Sequence, residues 1–309
     1  MRKMFSILLA ALLLAACSDS DSYNPYDEQR KGEFHPANVV IKKSTPNRDI
    51  TESWTNITRN GQGQVTSYEY SLEISGDISQ TEKKKHTVKY YTRHDGREVI
   101  ETRTDASYFK SANGISENYT RKIVETASIN SNGYIDEINS IIEHWVGEPN
   151  SSEPVTTTSR RTFAYNGDFC KSSSYKDNEQ EITYKYNWSG YKLKNITELK
   201  EDLKDGSIEY NTYDYTFDSR EIFPYTGTNL MAFVQSGMPQ IYASMGYIGK
   251  GTPYVLSEEL QGGYTKFGTM TSDNIKVHNT YSFDGDANFK LAYNAFSNIY
   301  DTYSINFSK

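Results

Sequence analysis

Cysteine is nearly absent from this chain. Of 309 residues only Cys17 and Cys170 carry a thiol, and Cys17 has a different use, so no internal disulfide can support the fold. Catalytic signatures are lacking too. The five histidines, His35, His86, His94, His144 and His278, show no i, i+4 pair around a glutamate, and Glu143 and His144, adjacent on a strand, would point to opposite faces. There is no G-x-S-x-G elbow, P-loop or dinucleotide fingerprint. Positive charge is in deficit, with 33 Lys and Arg against 40 Asp and Glu for a net of -7. That balance argues against nucleic acid or anionic lipid headgroups as the main partner.

What is present begins at the N-terminus. Arg2 and Lys3 form a basic stretch, Met4 to Leu14 form an apolar one too short to span a bilayer, and small residues lead into a cysteine. Leu14-Ala15-Ala16-Cys17 fits a bacterial lipobox, in which the thiol is acylated and the chain is cut between Ala16 and Cys17. Residues 1–16 are then a lipoprotein signal peptide, Cys17 is the lipidated mature N-terminus, and several acyl chains make anchoring effectively permanent. Losing Arg2 and Lys3 moves the net charge from -7 to -9. The acidic run Ser18-Asp19-Ser20-Asp21-Ser22 resembles the surface-export tether of Bacteroidetes-type lipoproteins, which implies display on the outer face of the outer membrane. Residues 17–37 lack hydrophobic periodicity and read as a flexible acidic tether, about 25 Å end to end as a coil.

From residue 38 to 309 the pattern is a single β-meander domain. Twenty-six tyrosines supply ring area that a low mean hydropathy of -0.73 conceals. Alternating arms flank turns around Gly61, Gly96, Gly133, Gly167, Gly190 and Gly285, with a degenerate copy near Ser219. Most pair glycine with asparagine or aspartate, residues that tolerate the positive φ of tight hairpins. In the arm 65–74, Tyr68, Tyr70, Leu72 and Ile74 oppose Ser67, Glu69, Ser71 and Glu73. Residues 135–146 could carry a helical stripe, but the Asn132-Gly133 turn before them favours a strand. The expected fold is all-β: a large antiparallel meander of about 12–14 strands, forming a curved sheet or incomplete barrel.

Polar stretches such as residues 75–85, 104–118, 147–155, 176–181 and 201–209 read as return loops at the end opposite the glycine turns, and Lys83 to Lys85 as a solvated loop end. Residues 223–262 interrupt the pattern with an apolar insert. Leu230, Val234, Met238, Ile241, Met245 and Ile248 fall at near-helical spacing, so a short helical segment is expected near 228–250, with Ser236 as a cap and Pro239 in an early turn. Such an insert would act as a plug or lid on the sheet.

The Tyr184-Lys185-Tyr186 arm running through Gly190 to Ile196, the late stretch 245–260 and the Tyr281–Gly285 arm together resemble a Bacteroidetes lipoprotein family carrying a domain of unknown function described as having a porin-like fold. The resemblance implies an architecture and a cell-envelope setting, with no catalytic residue to transfer. A membrane barrel, however, needs an outward apolar band on every strand. Arms such as 86–94 and 192–202 place charge on both faces, so a water-soluble domain on a lipid tether is expected.

Candidate sites are few. Asp284, Asp286 and Asn288 alternate oxygen ligands as a calcium loop begins, although Asp284-Gly285 is also a sufficient hairpin signal. No other cofactor is implied. Trp54, Trp145 and Trp188 could stack on sugar rings if they stand at a rim, or could belong to the core. Cys170 reads as a small strand residue, not a nucleophile. The expected role is a noncatalytic binding or scaffold lipoprotein, held to the outer membrane by its lipid and meeting a glycan, peptide or envelope-protein partner. The alternative is a glycosidase-like hydrolase using paired carboxylates.

Overall fold

The computed structural model describes residues 38–45, 48–112, 114–147, 153–221, 239–251, 254–265, 270–284, 288–296 and 300–308. Ala16, Cys17, the signal peptide and the tether lie outside the described residues, as do Ser236 and Asp286. The strands in chain order are β1 (Asn38–Thr45), β2 (Arg48–Arg59), β3 (Val65–Gly76), β4 (Ile78–Thr92), β5 (Glu98–Ala112), β6 (Ile115–Ile129), β7 (Ile135–Val146) and β8 (Val155–Asn166). They continue as β9 (Phe169–Lys176), β10 (Gln180–Ser189), β11 (Lys192–Asp202), β12 (Ile208–Glu221), β13 (Tyr254–Thr265), β14 (Met270–Asp284), β15 (Asn288–Phe296) and β16 (Tyr300–Ser308). Among the described residues one short helix, α1 (Gln240–Ser244), lies between β12 and β13.

The all-β antiparallel meander expected from the repeats is what the chain forms, with each strand paired to its sequence neighbour. Among the described residues there are sixteen strands, and pairing of β1 with β16 from Asn38↔Ser308 to Ser44↔Thr302 joins the two edges into a closed barrel. The glycine turns work as read at Gly96, Gly133, Gly167 and Gly190, all with positive φ. In the first turn the left-handed residue is Gly63, not Gly61, and its N–H donates to the Asn60 carbonyl. The degenerate turn near Ser219 is strand, inside β12.

Two expected loops are strand as well. Residues 75–85 and 104–118 turn tightly at Asp77 and Gly114, and β4, β5 and β6 each run for 15 residues. Lys83, Lys84 and Lys85 sit within β4 in register with Ser107, Ala106 and Asp105. The alternation that marks a half-buried strand vanishes there because both faces of the wall are wet.

The buried core occupies the glycine-turn end. From the walls it gathers Val65, Tyr68, Val88, Ile100, Ala127, Ile129, Ile135, Ile138, Phe163, Tyr186, Leu193 and Ile196; from the segment around α1 it takes Ile241, Tyr242, Ala243 and Ile248. A barrel of 16 strands is too wide for wall side chains alone to fill, and the apolar segment supplies what they cannot. Residues 254–265 rejoin the sheet as β13, so the insert ends earlier than the 223–262 expected.

The plug is held by polar contacts at several points. The Ile135 N–H donates to the Tyr247 carbonyl (2.8 Å), and the Lys250 N–H donates to the Asp168 carbonyl (2.7 Å). Lys250 Nζ pairs with the Asp168 carboxylate (2.8 Å), which also accepts from the Tyr134 hydroxyl (2.9 Å). The Tyr242 and Thr102 hydroxyls share a buried bond of 2.5 Å. Gly249 passes so close to the wall that an added Cβ would lie 2.5 Å from the Asp168 carbonyl oxygen, at φ +76°. Gly249→Ala should therefore lower stability by about 3 kcal/mol, from steric overlap plus left-handed strain. Gly96→Ala, at φ +81° with open space around it, should cost only about 1 kcal/mol. Urea titration checks the pair, and equal losses would show that Gly249 does not brace the plug.

Candidate functional site

Above the plug the lumen opens into a cup. Strand alternation and register carry the same inward face from strand to strand: Trp54 pairs with Tyr70, Tyr70 with Lys84, Glu125 with Ser140, Ser140 with Ser159, and Arg161 with Tyr175. These residues, with Tyr68, His86 and Ile142, line a cavity of about 450 Å³ whose floor is Pro239, Ile241 and Tyr242. That volume lies within the range of about 300–1,000 Å³ typical of small-molecule sites.

The lining combines aromatic faces with charge. The Trp54 and Tyr70 rings meet edge to face at 5.3 Å, and the Tyr70 hydroxyl donates to Glu52 (2.7 Å). Lys84 Nζ stands 4.7 Å over the Tyr70 ring and pairs with Glu82 at 3.1 Å. Arg161 lies 5.3 Å over the Tyr175 ring, whose hydroxyl donates to Asp177 (2.9 Å). Burial pushes the Glu125 carboxyl above its ordinary range, opposed by the Ser140 hydroxyl and by the charges of Arg161 and Lys84. Among the described residues that line the cup, Glu125 is the one acid.

His86 sits at the boundary between cup and core. It stacks on Tyr68 at 4.0 Å, and its Nδ1 shares a hydrogen bond with the Thr104 hydroxyl (2.8 Å). Burial, with the nearby Lys84 charge, pushes its pKa down to about 3.

The outer wall is different. Glu69, Lys85, Asp105, Lys122 and Glu143 lie directly opposite one another across β3 to β7, a ladder of alternating sign. Further round, Glu137 pairs with Arg160 and Lys176 with Glu181. Each lysine or arginine set against a bilayer midplane costs about 2–4 kcal/mol, so this stretch of wall is built to face water.

The tryptophans divide among these environments. Trp54 is buried on the cup wall against Tyr70. Trp145 is buried away from the cup, with Lys122 Nζ 5.6 Å over its ring. Trp188 donates its indole N–H to the Cys170 carbonyl (2.8 Å) and tilts against Phe169. None forms an exposed rim platform, because ring burial and an indole hydrogen bond each draw the side chain into packing. Cys170 is fully buried, and burial pushes its thiol up to about 12, which leaves it inert as a nucleophile. Asp284 and Asn288 are register partners at the ends of β14 and β15, while the turn between them, with Asp286, lies outside the described residues. Sequence reasoning missed Lys84, Glu125 and Arg161, because no local spacing marks residues that meet only across a barrel.

No family model matches this chain, and no curated protein matches it. A solved structure does: the crystal structure of a porin-like protein from Bacteroides uniformis ATCC 8492 is 15% identical, covers 88% of this chain and 96% of its own, and superposes with a TM-score of 0.52. At that identity the likeness establishes a shared porin-like fold.

His86 stays neutral in the native state while an unfolded histidine takes up a proton below about 6.5. The folded pKa is depressed, so stability present above pH 6.5 should be lost as pH falls toward 3, by up to about 1.4 kcal/mol per pH unit. His86→Gln should remove that increment when urea stability is compared between the two proteins across the window. Glu125, which contributes a slope of opposite sign, is common to both. An unchanged pH slope would show that His86 is protonated in the folded protein.

Proposed function

We propose that this protein is a noncatalytic, lipid-anchored lipoprotein of the cell envelope that binds a glycan- or peptide-sized ligand in the cup above its plug. The observation that carries this reading is the cup itself. It is floored by Pro239, Ile241 and Tyr242, sized for a small ligand, and lined by the part-exposed Tyr70 and Tyr175 rings beside Lys84, Arg161 and Glu125. Rings that offer flat apolar faces next to fixed polar groups suit sugars and peptide side chains. The paired-carboxylate alternative is less well served, since Glu125 is the one acid among the described lining residues and a glycosidase of that kind needs two.

The anchor rests on the Ala16-Cys17 lipobox, and the outer-membrane surface position on the acidic run 18–22. The charged ladder on the outer wall supports a barrel that stands in water on its tether instead of spanning the bilayer. The porin-like neighbour from Bacteroides is compatible with an envelope role and with the lipoprotein family the chain resembles.

Affinity electrophoresis in gels containing envelope or dietary polysaccharides, with a peptide library alongside, tests the cup. Tyr70→Ala and Tyr175→Ala should each weaken retardation by about tenfold, the loss of one stacking contact and its neighbours. Retardation that survives both substitutions would place the ligand elsewhere. Protease shaving of intact cells tests the address: wild type should be digested, Cys17→Ser should leave the membrane fraction, and complete protection of the wild type would contradict surface display.

A further inference from the structure

We propose, resting on the reading of the chain as a lipid-anchored lipoprotein, that the plugged end of the barrel faces the membrane and the mouth of the cup opens away from it, so that the ligand arrives from the surrounding medium.

The direction of β1 is the first observation. The glycine turns mark the plugged end, and β1 runs from Asn38 toward the opposite end, where Thr45 lies across from Arg48 at the start of β2. β2 then descends to the turn that holds Gly63. The chain therefore enters the wall from the plugged side, and the pairing of Asn38 with Ser308 brings the end of β16 to the same level. Twenty residues, 18–37, separate Cys17 from Asn38, a coil of about 25 Å. For the mouth to face the membrane, that coil would have to run back along the outside of the wall past all of β1. At 8 residues, β1 alone covers about 26 Å, which uses the whole average reach of the tether.

Charge is the second observation. Among the described residues, the connections at the mouth hold Asp77, Glu153, Asp177, Glu179 and Asp205 against Lys204 alone. The glycine turns at the other end hold Asp95 and Asp168 against Arg93 and Arg97. The mouth is thus rimmed by net negative charge, while the turns of the plugged end balance. Pairing with neighbours leaves these net charges unchanged, and net charge is what an extended charged surface senses. A membrane bearing anionic headgroups repels the mouth once it comes within a Debye length, and does not repel the plugged end. Tether entry and charge make the same choice independently.

Energy transfer from a labelled cysteine to a headgroup-labelled acceptor lipid tests this, on the mature lipoprotein purified from cells and reconstituted into vesicles of phosphatidylethanolamine and phosphatidylglycerol. Ser131→Cys places the label in a turn at the plugged end and Asn178→Cys places it at the mouth, both at exposed, uncharged positions. Wild type is the control: an acylated Cys17 and a buried Cys170, whose thiol burial pushes up to about 12, leave nothing for a maleimide to modify. Strands of 12 residues join the two ends. Tilted, they stand about 30 Å tall, so transfer from residue 131 should exceed that from residue 178 by about threefold. Equal transfer from the two positions, or more from residue 178, with wild type unlabelled, would overturn the orientation and leave the anchor standing. A wild type that labels at Cys17 would overturn the anchor reading, and the orientation with it.

Discussion

Everything in this molecule depends on filling one end of a barrel that is too wide to fill itself. Sixteen strands enclose more space than their inward side chains can occupy, and among the described residues no disulfide compensates, since Cys170 is free and buried. The answer is an apolar segment of the same chain. Ile241, Tyr242, Ala243 and Ile248 enter the lumen and turn a ring of wall residues into a packed core. The backbone bonds from Ile135 to Tyr247 and from Lys250 to Asp168 show that this segment belongs to the wall's hydrogen-bonding pattern. It is a floor, not a lid.

A floor at one end divides the barrel into two chemistries. Below it, tyrosine and aliphatic side chains pack around Ile100, Leu193 and Ile196. Above it, the same strands carry Lys84, Glu125, Arg161 and Tyr175 into a cavity. The strand that contributes Val88 to the core contributes Lys84 to the cup four residues earlier, on the same face. Position along a strand, more than face, decides whether a residue is structural or available to a ligand. The porin-like likeness is thus a likeness of wall architecture. Among the described residues, the floor divides the lumen and the outer face of β3 to β7 carries a ladder of alternating charge.

The legible part of the fold was the dry half. Turns at Gly96, Gly133, Gly167 and Gly190, and arms such as Tyr68 to Ile74, carry the local signals of hairpins and half-buried strands. The wet half was illegible for a physical reason. Where Lys83, Lys84 and Lys85 face solvent, lumen and solvent in turn, no hydrophobic alternation remains, and a true strand looks like a loop. The plug was visible as an apolar interruption with a short helical segment, and α1 falls within the expected 228–250, although the early return at Tyr254 was not visible. The cup was invisible because its members, spread from Trp54 to Tyr242, meet only through cross-strand register and closure.

The central claim, that residues 239–251 are a permanent floor, is tested most directly by amide hydrogen exchange on the intact protein. The amides of Ala243, Met245 and Tyr247, which bond to the carbonyls of Pro239, Ile241 and Tyr242, should exchange as slowly as those of Ile100 and Ile196 in the core strands, through the same global opening. Exchange in these three orders of magnitude faster than in the core strands, with Ile100 and Ile196 still protected, would show a segment that leaves the barrel on its own and would contradict the account.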